Sequence, residues 1–188
     1  GAPFTLASYA IEGQGSRNYV HVKKMMYEAP ELWHQLLAKL VTQVASYLKL
    51  QIASGVDAVQ IFDTWVGSLS PYDFSTYVRQ HLRDLITALK AESDVPIIYF
   101  GTGNLHLLPQ IADLGIDVIA FDWRTPLRAT WDALGVSAVQ GNLDPIVLCA
   151  DQAAIRTQTD QILGDVGGRA GHIFNLGHGI IPETPVDN

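Results

Sequence analysis

A chain of 188 residues with 48% hydrophobic and 16% charged residues has the composition of a globular protein that buries a core, which excludes the disordered and fibrous classes. Its net charge of −7 argues against nucleic acid or an anionic membrane as a partner, because both are bound through a basic face. The single cysteine, Cys149, leaves no disulfide framework and no cysteine-rich zinc site, and it points to a reducing compartment, the cytoplasm. No apolar run reaches the roughly 18 to 20 residues that a membrane span needs.

From the N-terminus, short and nearly all-apolar runs alternate with stretches of helical period. Pro3 to Tyr9 reads as a strand. After Pro30 the apolar residues Leu32, Leu36, Leu37, Leu40, Val44, Tyr47 and Leu48 recur at three and four positions and predict a helix. Ala58 to Phe62 is the second strand. Ser70 and Pro71 supply a cap and a first-turn proline for a helix running through Tyr77, His81, Leu85 and Leu89. Pro96 to Phe100 is the third strand, followed by a helix over about 105–114 that stops at Gly115. Val118 to Phe121 is the fourth, followed by a helix over about 126–134 that stops at Gly135. Ala138 to Gly141 is the fifth strand, 151–163 a helix, and His172 to Asn175 the sixth strand.

Strand and helix in alternation predict the α/β class with a parallel sheet, and the pace of roughly thirty residues per step suits a (β/α)8 TIM-type barrel or a doubly wound sheet. A doubly wound sheet would carry a nucleotide fingerprint after its first strand. Here Gly13-Gln14-Gly15 lacks the third glycine, and no GxxxxGK[ST] occurs. The barrel is preferred, as a single partial domain over residues 1–188 with about six of eight units. A complete barrel runs to about 250 residues, so N-terminal units and the last helix are expected to be missing.

In such folds the loops after the strands converge on the ligand. The polar candidates there are Tyr9, the loop Phe62-Asp63-Thr64-Trp65, the loop Gln140-Gly141-Asn142-Leu143-Asp144-Pro145, and Asn175-Leu176-Gly177-His178-Gly179. Taken by themselves, Tyr9 reads as a core tyrosine, Thr64 as a loop hydroxyl and Asp63 as a cap. Asn142 and Asp144 read as shaping their turn. His178 stands out unaided, since a histidine between two glycines does not fill core volume. His106 and His172 read as structural, and His21, His34 and His81 as surface or packing residues.

Together Gly1-Ala2-Pro3-Phe4-Thr5-Leu6 through Tyr9 to Glu12-Gly13, Phe62-Asp63-Thr64, Gly141-Asn142-Leu143-Asp144-Pro145 and Asn175-Leu176-Gly177-His178-Gly179 resemble the uroporphyrinogen decarboxylase family, in its order and at about its spacing. The resemblance implies a distorted (β/α)8 barrel, commonly a cytoplasmic homodimer, and a cofactor-independent carboxy-lyase without a metal. Such an enzyme removes carbon dioxide from the four acetate side chains of uroporphyrinogen III to give coproporphyrinogen III, for haem and chlorophyll synthesis. It implies that Tyr9, Thr64 and His178 contact the tetrapyrrole substrate. Family members often carry serine where this chain has Thr64, which keeps the hydroxyl. The family's N-terminal arginines and its catalytic aspartate match nothing in this chain, so no catalytic residue is assigned here and no Arg or Asp is taken as a replacement. The 188 residues alone are accordingly expected to be inactive and poorly soluble.

Two other readings compete. A zinc- or cobalamin-dependent methyltransferase of similar fold would need His and Cys ligands, and Cys149 has neither a cysteine partner nor a nearby histidine. A non-catalytic barrel remnant would act as a binding module, with unpaired sheet edges exposed.

Overall fold

Prolines and glycines punctuate the chain much as their chemistry requires. The computed structural model describes residues 1–13 and 15–188, which form two compact units, Gly1–Ile116 and Asp117–Asn188. The middle residue of Gly13-Gln14-Gly15 lies outside the described residues.

The first unit opens with α1 (Pro3–Glu12), where the sequence predicts a strand. Pro3 sits in the first turn, and Gly13, at φ 73°, closes the helix by donating its N–H to the Tyr9 carbonyl. A short apolar run does not by its pattern separate a strand from a buried helix. Tertiary contact decides this one: the Ala2 N–H donates to the Phe62 carbonyl at 2.7 Å, and Phe4 meets Trp33 edge-on at 6.2 Å. The described residues therefore contain five strands rather than six.

Helices α2 (Val20–Glu28) and α3 (Pro30–Ala53) follow. Trp33, Leu37, Val44, Ala45 and Leu48 form the buried face of α3, whereas Leu32 and Tyr47, expected on that face, are 57% and 63% exposed. Next come β1 (Val59–Asp63), α4 (Pro71–Tyr77), α5 (Arg79–Lys90), β2 (Ile97–Gly101) and α6 (Leu108–Ala112). β1 and β2 pair in parallel, Val59 opposite Ile97 and Asp63 opposite Gly101. The single helix predicted from Ser70 onward is broken at Val78, where the backbone leaves helical geometry (φ −128°). His34 on α3 and His81 on α5 share a hydrogen bond of 2.8 Å. Burial first, and then His34, lower the His81 pKa.

Ser70 caps α4 as predicted, accepting from the Asp73 N–H at 3.0 Å with Pro71 in the first turn. Ser70→Ala is expected to cost about 1 kcal/mol of unfolding free energy. Urea denaturation measures it, and an unchanged midpoint would mean that the cap contributes nothing.

The second unit contains β3 (Val118–Ala120), α7 (Leu127–Leu134), β4 (Ala138–Gln140), α8 (Gln152–Val166) and β5 (His172–Ile173). β3 pairs in parallel with β4, and β4 with β5. Gly135 ends α7 in the left-handed region at φ 64°, as its position predicts, and the Asp151 carboxylate caps α8 by accepting from the Ala154 N–H at 2.8 Å. β5 is shorter than predicted, although an isolated parallel bridge between Leu143 and Leu176 continues its line. Parallel pairing with helices between strands is the α/β architecture that the alternation predicts. Among the described residues no helix is long and apolar enough to cross a membrane.

Candidate functional site

Each unit places chemically useful residues at or just past the ends of its strands, where side chains of parallel α/β folds meet ligands, and in the first unit α1 adds Tyr9. In the first unit β1 ends at Asp63, which is fully buried. It accepts hydrogen bonds from the Thr5 hydroxyl at 2.8 Å and the Tyr99 hydroxyl at 2.9 Å. Burial pushes its carboxyl up to about 6, against these hydrogen bonds, which favour the carboxylate. Burial, the Asp63 charge and its hydrogen bond hold the Tyr99 hydroxyl well above its usual range. Asp63 is thus no loop cap, as its sequence context suggests; it ties α1, β1 and β2 together.

Thr64 follows directly, half-buried, with its carbonyl accepting from the Thr102 hydroxyl at 2.5 Å. A Cβ at Gly67 would collide with the backbone of Thr102 and Gly103, so the loops after β1 and β2 approach as closely as glycine permits. Tyr9 lies on α1, 47% exposed, and its ring meets Trp65, the neighbour of Thr64, edge-on at 5.9 Å. Tyr19 tilts onto the same indole at 6.1 Å. Burial first, then the charges of Tyr9 and Glu12, push its hydroxyl up to about 12. Tyr19 adopts a left-handed φ of 52°, which no sequence pattern marks for a tyrosine, and so it escapes a reading by motif. Phe62, 47% exposed, presents the apolar ring that its position suggests and packs edge-on against Phe100 at 6.0 Å. Past β2, the Asn104 Nδ2 is buried and has no hydrogen-bond partner among the described residues.

In the second unit three loops are stitched together. The Leu143 N–H donates to the Asn175 carbonyl at 3.1 Å, and the Gly177 N–H to the Leu143 carbonyl at 2.7 Å. Asn142 Nδ2 donates to the carbonyls of Asp122 and Thr125 at 2.8 and 2.7 Å. Asp144 accepts from the Ile146 N–H at 2.9 Å and shapes the turn, as expected. A Cβ at Gly177 would collide with the Trp123 backbone, and the next residue, His178, sets its ring edge-on to Trp123 at 6.1 Å. The Arg124 guanidinium lies 4.0 Å from the centroid of the same indole and donates to Asp122 at 2.8 Å. Asp122, Trp123 and Arg124 were not among the residues selected from the sequence. The signal that finds them is their place immediately after a predicted strand.

The sequence-selected Tyr9 and Thr64 belong to the first unit and His178 to the second. His106 donates to the Leu69 carbonyl at 2.8 Å and His172 to the Gly141 carbonyl at 2.6 Å, which are structural roles. Among the described residues no three His, Cys, Asp or Glu side chains cluster as a metal ion would require.

Residues 1–188 match the Uroporphyrinogen decarboxylase (URO-D) family. Curated relatives named uroporphyrinogen decarboxylase include one from Koribacter versatilis, 52% identical over all of this chain and 54% of its own length. Another from Chloroflexus aurantiacus is 53% identical over all of this chain and 54% of its own, and one from Thermus thermophilus is 49% identical over all of this chain and 55% of its own. The chain spans about half the length of these relatives. Among solved structures, a methyltransferase from Methanosarcina mazei superposes with a TM-score of 0.82 at 20% identity, covering 98% of this chain and 52% of that one. That likeness is one of fold, the α/β TIM-barrel type.

Proposed function

The chain belongs to the uroporphyrinogen decarboxylase family, and on that premise we propose that the complete protein carrying it removes carbon dioxide from the four acetate side chains of uroporphyrinogen III, giving coproporphyrinogen III for tetrapyrrole synthesis. The observation that carries this reading is identity of 49% to 53% to relatives of that name across the whole chain, loops included.

The chemistry asks little of the protein beyond position and charge. Protonation of a pyrrole carbon turns the substrate's own ring into an electron sink. The bond from the acetate methylene to its carboxylate then breaks, its electrons enter the ring, and carbon dioxide leaves. A proton adds to the methylene carbon to make it a methyl group, and the ring carbon gives up the proton it took, which restores the pyrrole. No cofactor or metal is needed for that sequence. Tyr9 and Thr64 serve as hydroxyl donors to substrate carboxylates, and His178 as an imidazole donor to another. The fixed loops support these roles, since a donor held in place loses little freedom when the substrate arrives. No residue of this chain takes the part of the family's catalytic aspartate.

On the same reading residues 1–188 make up one partial barrel domain of a cytoplasmic homodimer whose ligand is a small tetrapyrrole, with neither nucleic acid nor membrane as partner. These residues made alone are expected to be inactive, since the relatives are about twice as long.

The test is an anaerobic assay of the complete protein with uroporphyrinogen and no added cofactor. Coproporphyrinogen is the expected product. A protein that is folded, shows no turnover and copurifies with zinc would overturn the reading in favour of the methyltransferase alternative.

A further inference from the structure

We infer that Arg124 binds a carboxylate of the substrate, a role that rests on the decarboxylase reading and that no arginine of this chain carries in the sequence analysis. The substrate bears eight carboxylates, and the chain has a net charge of −7. Attraction for a polyanion must therefore come from a local cation. In the segments that directly follow the five strands, 64–70, 102–107, 121–126, 141–151 and 174–188, Arg124 is the one Lys or Arg.

Its geometry suits that task. The guanidinium rests 4.0 Å from the centroid of the Trp123 ring and is anchored through one nitrogen to Asp122 Oδ2 at 2.8 Å. Asp122 is 1% exposed, and its Oδ1 is taken by the Thr125 hydroxyl at 3.0 Å and the Arg124 N–H at 3.2 Å. The anchor itself is thus held in place. The Arg124 side chain remains 56% exposed. A guanidinium has five N–H donors in a rigid fork, so one anchoring bond leaves others to meet a carboxylate side by side. Stacking on an indole also pre-orders a side chain that otherwise loses much freedom on binding. His178 packs on the edge of the same indole, so Trp123 positions two carboxylate-binding groups in one unit.

The competing account is that Arg124 only neutralises Asp122. Arg124→Gln and Arg124→Lys in the complete protein separate the two, through steady-state kinetics with uroporphyrinogen, fluorescence titration with uroporphyrin, and thermal unfolding. For Arg124→Gln, KM and the uroporphyrin Kd are expected to rise roughly 10- to 100-fold, the range of a lost charge-assisted hydrogen-bond pair. kcat should stay within about threefold, because uniform binding is removed. The Tm should hold, and Arg124→Lys should fall between, since an ammonium keeps the charge and loses the fork. An unchanged KM and Kd in Arg124→Gln overturns the inference alone. So does a lowered Tm with kcat reduced and Kd unchanged, which assigns Arg124 to Asp122 only. A wild-type protein that neither converts uroporphyrinogen nor binds uroporphyrin removes the decarboxylase reading and this inference together.

Discussion

Lowering the pH from 8 to 4 should stabilise the wild-type protein relative to an Asp63→Asn variant by roughly 2–3 kcal/mol. Asp63 is fully buried, and burial raises its carboxyl from 3.8 to about 6 despite hydrogen bonds from Thr5 and Tyr99. Between those values the folded state holds a proton that the unfolded state has released. Stability attributable to Asp63 is therefore lowest above pH 6, rises as pH falls through 6, and levels off near 3.8. An amide has no such titration, and it still accepts one hydroxyl hydrogen bond at Oδ1. The Thr5 or Tyr99 hydroxyl can turn to accept from its N–H. Urea titrations of both proteins at several pH values measure the difference. A gap between them that stays flat with pH would show that Asp63 titrates normally. Tyr99→Phe removes one of the hydroxyl donors that favour the carboxylate, so it should move the transition to higher pH.

The second large effect concerns the loop that carries His178. In the complete protein His178→Ala is expected to lower kcat/KM for uroporphyrinogen by roughly 10- to 100-fold with little change in Tm, as for loss of a hydrogen bond to a charged group. Gly177→Val should lose at least roughly 100-fold, because even a Cβ at that position collides with the Trp123 backbone and the loop must move. Its Tm should fall as well, since the Gly177 bond to Leu143 and the Leu143 bond to Asn175 hold the same segment. A fully active Gly177→Val would mean that the close approach to Trp123 is not needed for function. A fully active His178→Ala would remove His178 from the substrate-binding set.

The sequence by itself determined the α/β class, the places of β1 to β4, and the main punctuation, because these rest on local chemistry. Ser70 with Pro71 caps a helix and Gly135 ends one whatever surrounds them, and apolar runs such as Ile97-Ile98-Tyr99-Phe100 form strands covered on both faces. The family was legible too, since its loop motifs are contiguous. Tertiary structure decided the rest. Whether Pro3 to Tyr9 is strand or helix depends on what Phe4 and Ala2 touch, and those partners, Trp33 and Phe62, are distant in sequence. The break at Val78 and the choice of α3 face that exposes Leu32 while burying Trp33 follow from packing that periodicity averages away. Asp63 looks like any polar residue at a strand end until Thr5 and Tyr99 close over it. Arg124 is one arginine among several until the conformation of its loop lays the guanidinium on the adjacent Trp123 ring and against Asp122. Local patterns report what a segment prefers, whereas the pKa of a buried carboxyl such as that of Asp63 is set by neighbours that only folding brings near.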